Sequence, residues 1–172
     1  MKGFVKAGIV AALGLAVLAA PVQAQAMPTQ WNAGVGVSLP SSSGFNTGFN
    51  LRFGATVNPK GWPVWIRPEA AFDHFSVSCT GCGSLTAIGI SGDAGYNFKS
   101  GSSMKPYVLG GLNITHQSFS VSGYSASATH LGIIIGGGIK FPLGNMKGYA
   151  ELRYVSAGGG LDFIPISVGL MF

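Results

Sequence analysis

The sequence has 172 residues, of which only 9% are charged and 47% apolar, with 28 glycines and a formal net charge of +5. Soluble globular domains carry roughly 25% charged residues, so this composition excludes an ordinary water-facing surface. The length predicts one domain, and the dispersed positive charges exclude a nucleic-acid footprint.

At the start of the chain, Lys2 and Lys6 precede an apolar run over 8–20 and the small-residue patterns Val22-Gln23-Ala24 and Ala24-Gln25-Ala26. This layout predicts a secretory signal peptide over 1–26, cleaved after Ala24 or Ala26. The run is shorter than the roughly 20 apolar residues a spanning helix needs. Residues 27–172 then form the folded domain. They carry eight basic residues (Arg52, Lys60, Arg67, Lys99, Lys105, Lys140, Lys147, Arg153) and five acids (Glu69, Asp73, Asp93, Glu151, Asp162), hence 8 − 5 = +3. No later apolar run is long enough for a membrane helix. A chain of this kind that enters a bilayer must do so as a closed barrel, since lipid offers no partner to unpaired backbone groups.

Period-two alternation marks strand after strand. Trp31, Ala33, Val35, Val37 and Leu39 alternate with Asn32, Gly34, Gly36 and Ser38. Over 45–57, Phe45, Thr47, Phe49, Leu51, Phe53, Ala55 and Val57 oppose Asn46, Gly48, Asn50, Arg52, Gly54 and Thr56. The third run sets Val64, Ile66, Pro68, Ala70 and Phe72 against Trp65, Arg67, Glu69, Ala71 and Asp73, and the fourth sets Ile88, Ile90, Ala94 and Tyr96 against Gly89, Ser91, Asp93 and Asn97. The fifth, over 106–115, is ambiguous because Val108, Leu109, Leu112 and Ile114 do not alternate. In the sixth, Leu131, Ile133, Ile135, Ile139 and Phe141 oppose His130, Gly132, Gly136, Gly138 and Lys140. The seventh, the shortest as read, opposes Ala150, Leu152 and Tyr154 to Glu151 and Arg153. The last opposes Ile164, Ile166, Val168, Leu170 and Phe172 to Pro165, Ser167, Gly169 and Met171.

Turns rich in Gly, Pro, Asn and Ser at 58–61, 99–105 and 142–147 alternate with loops at 40–44, 76–84, 116–127 and 156–160. The pattern predicts an all-β fold, an eight-stranded antiparallel up-and-down transmembrane β-barrel. An even strand number leaves both termini at one end. The apolar face must be the one that meets lipid, because the Gly/Ser/Asn face with its sparse charges is a poor water-facing surface for a soluble barrel. Inside a narrow barrel those small residues leave room, and Arg52, Arg67, Glu69, Asp73, Asp93, Lys140, Glu151 and Arg153 pair across the lumen. An arginine facing lipid at mid-depth would cost roughly 2–4 kcal/mol, and this register places none there. Trp31, Phe45, Trp62, Phe75, Tyr96, Phe98, Tyr107, Phe141 and Tyr154 fall near strand ends, where interfacial girdles are expected.

The ending, with Ile164, Ile166, Val168, Leu170 and Phe172 at alternate positions, resembles the last strand of bacterial outer-membrane barrels. Lys105-Pro106-Tyr107-Val108-Leu109-Gly110-Gly111 and Ala150-Glu151-Leu152-Arg153-Tyr154 resemble segments of the small opacity-type and OmpA/OmpX-like outer membrane proteins. The resemblance covers the whole of 27–172. It implies location in the bacterial outer membrane, contact with its lipid and lipopolysaccharide, and reading of the terminal strand by the barrel-assembly machinery. It also implies that the termini lie in the periplasm, so that the lysine-bearing turns are periplasmic and the Ser/Gly-rich loops external.

Cys79 and Cys82 sit in the second outer loop. In an oxidising compartment a disulfide is the default reading, worth about 2 kcal/mol for so short a ring. A metal site with His74 lacks a fourth ligand, and a redox role lacks the helix N-terminus that activates a thiolate. His116-Gln117-Ser118 is similar to the His-x-Ser pair of outer-membrane lipid A deacylases, where His is base and Ser nucleophile. Its flanks differ from that family, and the next acid downstream, Glu151, is placed in the lumen. Ser102-Ser103-Met104-Lys105 has the S-x-x-K form without its companion motifs, and Asn113-Ile114-Thr115 lies inside a strand.

Eight strands leave an interior that side chains fill. The mixed-sign lumenal charges favour a plug over a selective channel, which more often shows rings of one sign. The reading is a monomeric, non-enzymatic barrel without cofactor, serving envelope integrity or surface interaction through short outer loops. The alternatives are a narrow pore or hydrophobic-solute conduit, supported by Tyr107 and Leu109 if they face inward, and a lipid A-modifying enzyme built on His116 and Ser118.

Overall fold

A computed structural model describes residues 29–78, 83–121 and 124–172. The signal segment 1–26 and both Cys79 and Cys82 lie outside the described residues. Eight strands follow in order: β1 (Thr29–Pro40), β2 (Gly48–Val57), β3 (Val64–Ser76), β4 (Ser84–Asn97), β5 (Lys105–Val121), β6 (Tyr124–Leu143), β7 (Met146–Ser156) and β8 (Asp162–Met171). Each pairs with the next, and β1 pairs with β8 to close the barrel. Every partner is antiparallel. At the seam, Trp31 N donates to Phe172 O and Phe172 N donates to Trp31 O, both at 2.9 Å. Closure leaves no strand edge around the barrel wall, the condition a sheet must meet in lipid.

The alternation read from the sequence sorts the two faces. Asn50, Arg52, Gly54 and Thr56 are buried inside, while Phe49, Leu51 and Phe53 stand outward about half exposed. Val35, Ile90, Leu112, Ile135, Leu152 and Val168 continue the outward belt around the wall. No charged side chain interrupts these positions. In β5 the alternation proves regular: Tyr107, Leu109, Asn113 and Thr115 face in, and Val108, Leu112 and Ile114 face out. The ambiguity in the sequence came from Leu109, an apolar residue on the inner face.

Several glycines on the inner face make room for large lumenal rings. A Cβ at Gly95 would collide with the Trp65 indole, one at Gly138 would approach Tyr107 Oη to 2.8 Å, and one at Gly169 would meet Tyr149. This close approach explains part of the chain's high glycine content.

Three boundaries differ from the sequence reading. β2 begins at Gly48, with Phe45 outside it and joined to Val77 by an isolated bridge. β7 runs over 11 residues and is not the shortest strand, since β2 and β8 have 10 each. The segment 116–127, expected as a loop, is mostly strand: β5 and β6 continue as a hairpin, paired from Thr115↔His130 through Val121↔Tyr124. Its serine-rich composition looks like a loop, yet ladder pairing between β5 and β6 holds the described residues extended.

Candidate functional site

The lumen is built in three layers, described from the end that carries both termini (the near end) to the opposite, far end. In the middle layer, seven of the eight charges expected to pair do come together. Arg52 Nη2 binds Asp73 Oδ1 at 2.9 Å and Oδ2 at 3.1 Å. Arg67 Nη2 reaches Glu151 Oε2 at 3.0 Å and Asp93 Oδ2 at 3.3 Å, and its Nε lies 3.3 Å from Glu69. Arg153 is the hub: its guanidinium meets Glu69 at 2.8 and 2.9 Å, Asp93 at 3.3 Å, and also Glu151. Ser38 Oγ donates to Asp73, Tyr107 Oη donates to Glu151 at 2.6 Å, and Ser167 and Asn50 extend the network along the wall.

These side chains are nearly inaccessible to solvent. Buried charges are tolerated only when paired and hydrogen-bonded, and here each guanidinium faces at least two carboxylates. The layer holds three guanidiniums (Arg52, Arg67, Arg153) against four carboxylates (Glu69, Asp73, Asp93, Glu151).

Lys140 departs from the expectation. It forms no ion pair with this layer. Its Nζ donates to Asn97 Oδ1 at 3.0 Å and lies over the Trp65 and Tyr107 rings, at 4.6 and 5.0 Å from their centroids. The cause is depth: Lys140 sits two residues from the β6 paired position of Glu151, toward the near end, behind the two rings. Trp65, whose Nε1 also donates to Asn97, and Tyr107 pack edge to face at 5.7 Å and form the near-end layer with Lys140.

The far-end layer is apolar. Phe75 and Phe163 meet edge to face at 5.4 Å among buried Leu85, Ile134, Val155 and Leu161. Phe45 and Phe119, a second edge-to-face pair at 6.3 Å, pack against this cluster. Phe75 and Tyr107 are therefore lumenal fillers and not members of an interfacial girdle, whereas Trp31, Trp62, Tyr96 and Phe98 do stand outward. Between the charged and apolar layers a cavity of about 20 Å³ remains, bordered by Arg52, Ser91, Asn113 and Thr115. That is room for about one water.

Ile134, Asn113 and Tyr149 are buried lumenal residues that the sequence reading did not single out as site residues. Parity was the available signal, since each lies an even number of residues from a recognised inward position on its strand.

Outside the wall, His116 and Ser118 are exposed on β5, and His116 Nδ1 lies 2.9 Å from Thr129 Oγ1. Glu151 is on the other side of the wall, engaged by Arg67, Tyr107 and Arg153. His74, at 3.0 Å from Thr86, lies against Phe49 and Phe72. In β8, Ile164, Ile166, Val168 and Leu170 alternate with inward Phe163, Pro165 and Ser167, and Phe172 closes the seam.

At the far end the wall is uneven. The β6–β7 ladder stops at Ile133↔Ser156, so residues 124–132 of β6 have no ladder partner on that side. Residues 124–129 are exposed and carry no charge.

The model of the "Outer membrane protein beta-barrel domain" family matches residues 10–172. No curated protein matches the chain. Among solved structures, Neisserial surface protein A aligns with a TM-score of 0.69 at 20% identity, covering 83% of this chain and 95% of that one. The attachment invasion locus protein Ail of Yersinia pestis aligns at 0.58 and 19% identity, with the same coverage of 83% and 95%. A major outer membrane protein of Thermus thermophilus aligns at 0.59 and 11% identity, covering 84% and 98%. At these identities the likeness is one of fold.

Proposed function

The chain belongs to the outer membrane protein beta-barrel domain family and resides in the bacterial outer membrane, and from that premise we propose that it is a non-enzymatic barrel, closed to solutes, which acts through its external end. Insertion of an exported chain puts the near end in the periplasm and the far end outside. The belt of Val35, Ile90, Leu112 and Val168 meets lipid and the acyl chains of lipopolysaccharide, and the protein works as a monomer. Ile164 to Phe172 serve the barrel-assembly machinery as the terminal strand. Charged, aromatic and aliphatic side chains fill the lumen from the Trp65–Tyr107 pair to the Phe75–Phe163 pair, which leaves Tyr107 and Leu109 as packing residues and not as the wall of a conduit.

The observation that carries the external role is the β5–β6 ribbon. It rises past the end of β7 and offers residues 124–129 as an open edge, while Gly158 and Gly159 of the β7–β8 loop lie against His130 and Leu131. Natural proteins guard such edges with charges, prolines or bulges, and this one has none of the first two. An open edge of this kind accepts an extended segment of another protein by main-chain hydrogen bonding. The one acid outside the lumenal layer, Asp162, accepts from Tyr154 Oη, and His116 Nδ1 lies on Thr129, so the pair with Ser118 lacks the group that would orient the histidine for acyl transfer.

The test replaces residues 118–127 by Asn-Gly, which closes a two-residue hairpin on the existing Gln117↔Ala128 pair. Cells displaying either chain are expected to hold equal amounts of folded barrel. Only the native chain should increase cell-to-cell aggregation and adhesion to a solid surface. Equal behaviour of the two, with detergent sensitivity rising when the chain is deleted, would place the function in envelope integrity instead.

A further inference from the structure

All five lysines of residues 27–172 gather at the periplasmic end. Lys60 and Lys99 lie in the β2–β3 and β4–β5 turns, Lys105 opens β5, Lys140 is near the end of β6, and Lys147 is near the start of β7. Four of the five acids belong to the middle layer, and Asp162 opens β8 at the external end. No lysine among the described residues takes part in an ion pair.

Three of these lysines share a geometry that the other two lack. Lys105, Lys140 and Lys147 stand on consecutive strands at positions of inward parity, an even number of residues from Tyr107, Ile134 and Tyr149. Together with the amides of Gln30, Asn58 and Asn97 they line a basin of about 540 Å³ at the mouth of the lumen. No carboxylate lines it. Trp65 and Tyr107 lie beneath Lys140, and the acids beyond them are already occupied by arginines. Lys105 and Lys140 are direct cross-strand partners. Like charges placed directly opposite destabilise a sheet, and among the described residues no carboxylate lies within ion-pair distance of either lysine. Lys140 is held by Asn97 at 3.0 Å and Lys147 reaches Gln30 only at 3.5 Å, both neutral acceptors.

We propose that this basin is a binding site for a small phosphate-bearing anion presented on the periplasmic side. Three ammonium groups lining one basin match a phosphate oxyanion of charge about −1 to −2 with several acceptor oxygens, and ammonium groups engage phosphate as point charges. The amide side chains of Gln30, Asn58 and Asn97 supply further donors that fix its orientation. The basin ends on Trp65 and Tyr107, so the anion docks and does not pass. Phosphate of this kind arrives either as a free periplasmic ion or ester, or as the headgroup of an inner-leaflet lipid leaning over the rim at Phe141 and Pro142, which also border the basin.

The test is calorimetric titration of the refolded mature barrel in zwitterionic micelles, at an ionic strength of about 0.15 M, with inorganic phosphate. A saturable site is expected in the native protein. Lys105→Gln with Lys147→Gln should weaken it about 25-fold, or about fivefold per lysine. Lys60→Gln with Lys99→Gln should leave it within about twofold, since neither side chain lines the basin and charges beyond about 8 Å are largely screened at this ionic strength. Should the first double variant not fold, Lys105→Gln alone, about fivefold weaker, carries the same comparison. Native mass spectrometry of barrels released from phosphatidylcholine–phosphatidylglycerol nanodiscs separates the sources. Retention of phosphatidylglycerol by the native chain and not by the variant assigns the headgroup, and saturable phosphate binding without retained lipid assigns the free ion. Absence of both in the native protein, or equal losses in the two double variants, would overturn the site.

Discussion

Arg153→Ala should destabilise the barrel by roughly 3–5 kcal/mol, the cost of removing one partner from a buried ion pair and leaving the other charge uncompensated. Arg153 is 2% exposed and touches three carboxylates, those of Glu69, Asp93 and Glu151. Whole domains are stable by only about 5–15 kcal/mol, so this one change takes a large share and threatens assembly. The reverse change is expected to be mild. Asp93→Asn removes one of four carboxylates facing three guanidiniums, leaves the charges balanced, and keeps the shape of the side chain. Its cost should be about 1 kcal/mol, that of one weakened hydrogen bond. Both are measured by urea unfolding of the refolded protein in phosphocholine bilayers, followed by tryptophan fluorescence. Equal costs for the two would mean that charge balance does not organise the lumen.

Phe75→Ala is the second large effect, at roughly 3–5 kcal/mol. Its ring is fully buried and packs edge to face on Phe163 at the external end of the lumen. Truncation would leave a void next to the cavity of about 20 Å³ already bordered by Phe163, and the surrounding wall is too firmly paired to collapse into it. Phe49→Ala on the outward face should cost less, because lipid chains fill the space left behind. In a double-mutant cycle Phe75→Ala and Phe163→Ala should couple by about 0.5–1.5 kcal/mol, the contribution of an aromatic pair beyond its buried area. Additive effects would show that the two rings do not act as one plug.

Strand identity and facing were legible wherever the inner face is small or charged, as in Asn50-Leu51-Arg52-Phe53-Gly54, because there hydropathy and parity carry the same message. They failed where an apolar side chain faces inward. Leu109, buried in the lumen, blurs the alternation of β5, while that of β6 stays clear despite the buried Ile134. Phe75 and Tyr107 fall near strand ends, which is why the sequence points them to the girdle. Position does not distinguish a ring facing lipid from one facing the lumen, but parity does: Phe75 is two residues from Asp73, an inward group. Lys140 shares the parity of the charged layer, yet depth along the barrel separates it from the acids, and depth follows from register between strands, which no single strand reveals. The ribbon over 116–127 was hidden by its serine-rich composition, which suits a loop and a strand equally.

A closed interior is tested most directly by single-channel conductance of the refolded mature chain in a planar bilayer, beside an Arg67→Ala, Glu69→Ala double variant. Eight strands leave a lumen that side chains fill, and the layers of charges, Trp65 with Tyr107, and Phe75 with Phe163 fill this one. The native protein should be silent, and the variant should leak only when Phe75→Ala is added, since the Trp65–Tyr107 and Phe75–Phe163 layers otherwise still flank the emptied ion-pair layer. Steady, discrete openings of the native protein would contradict the closed lumen and move the function to transport.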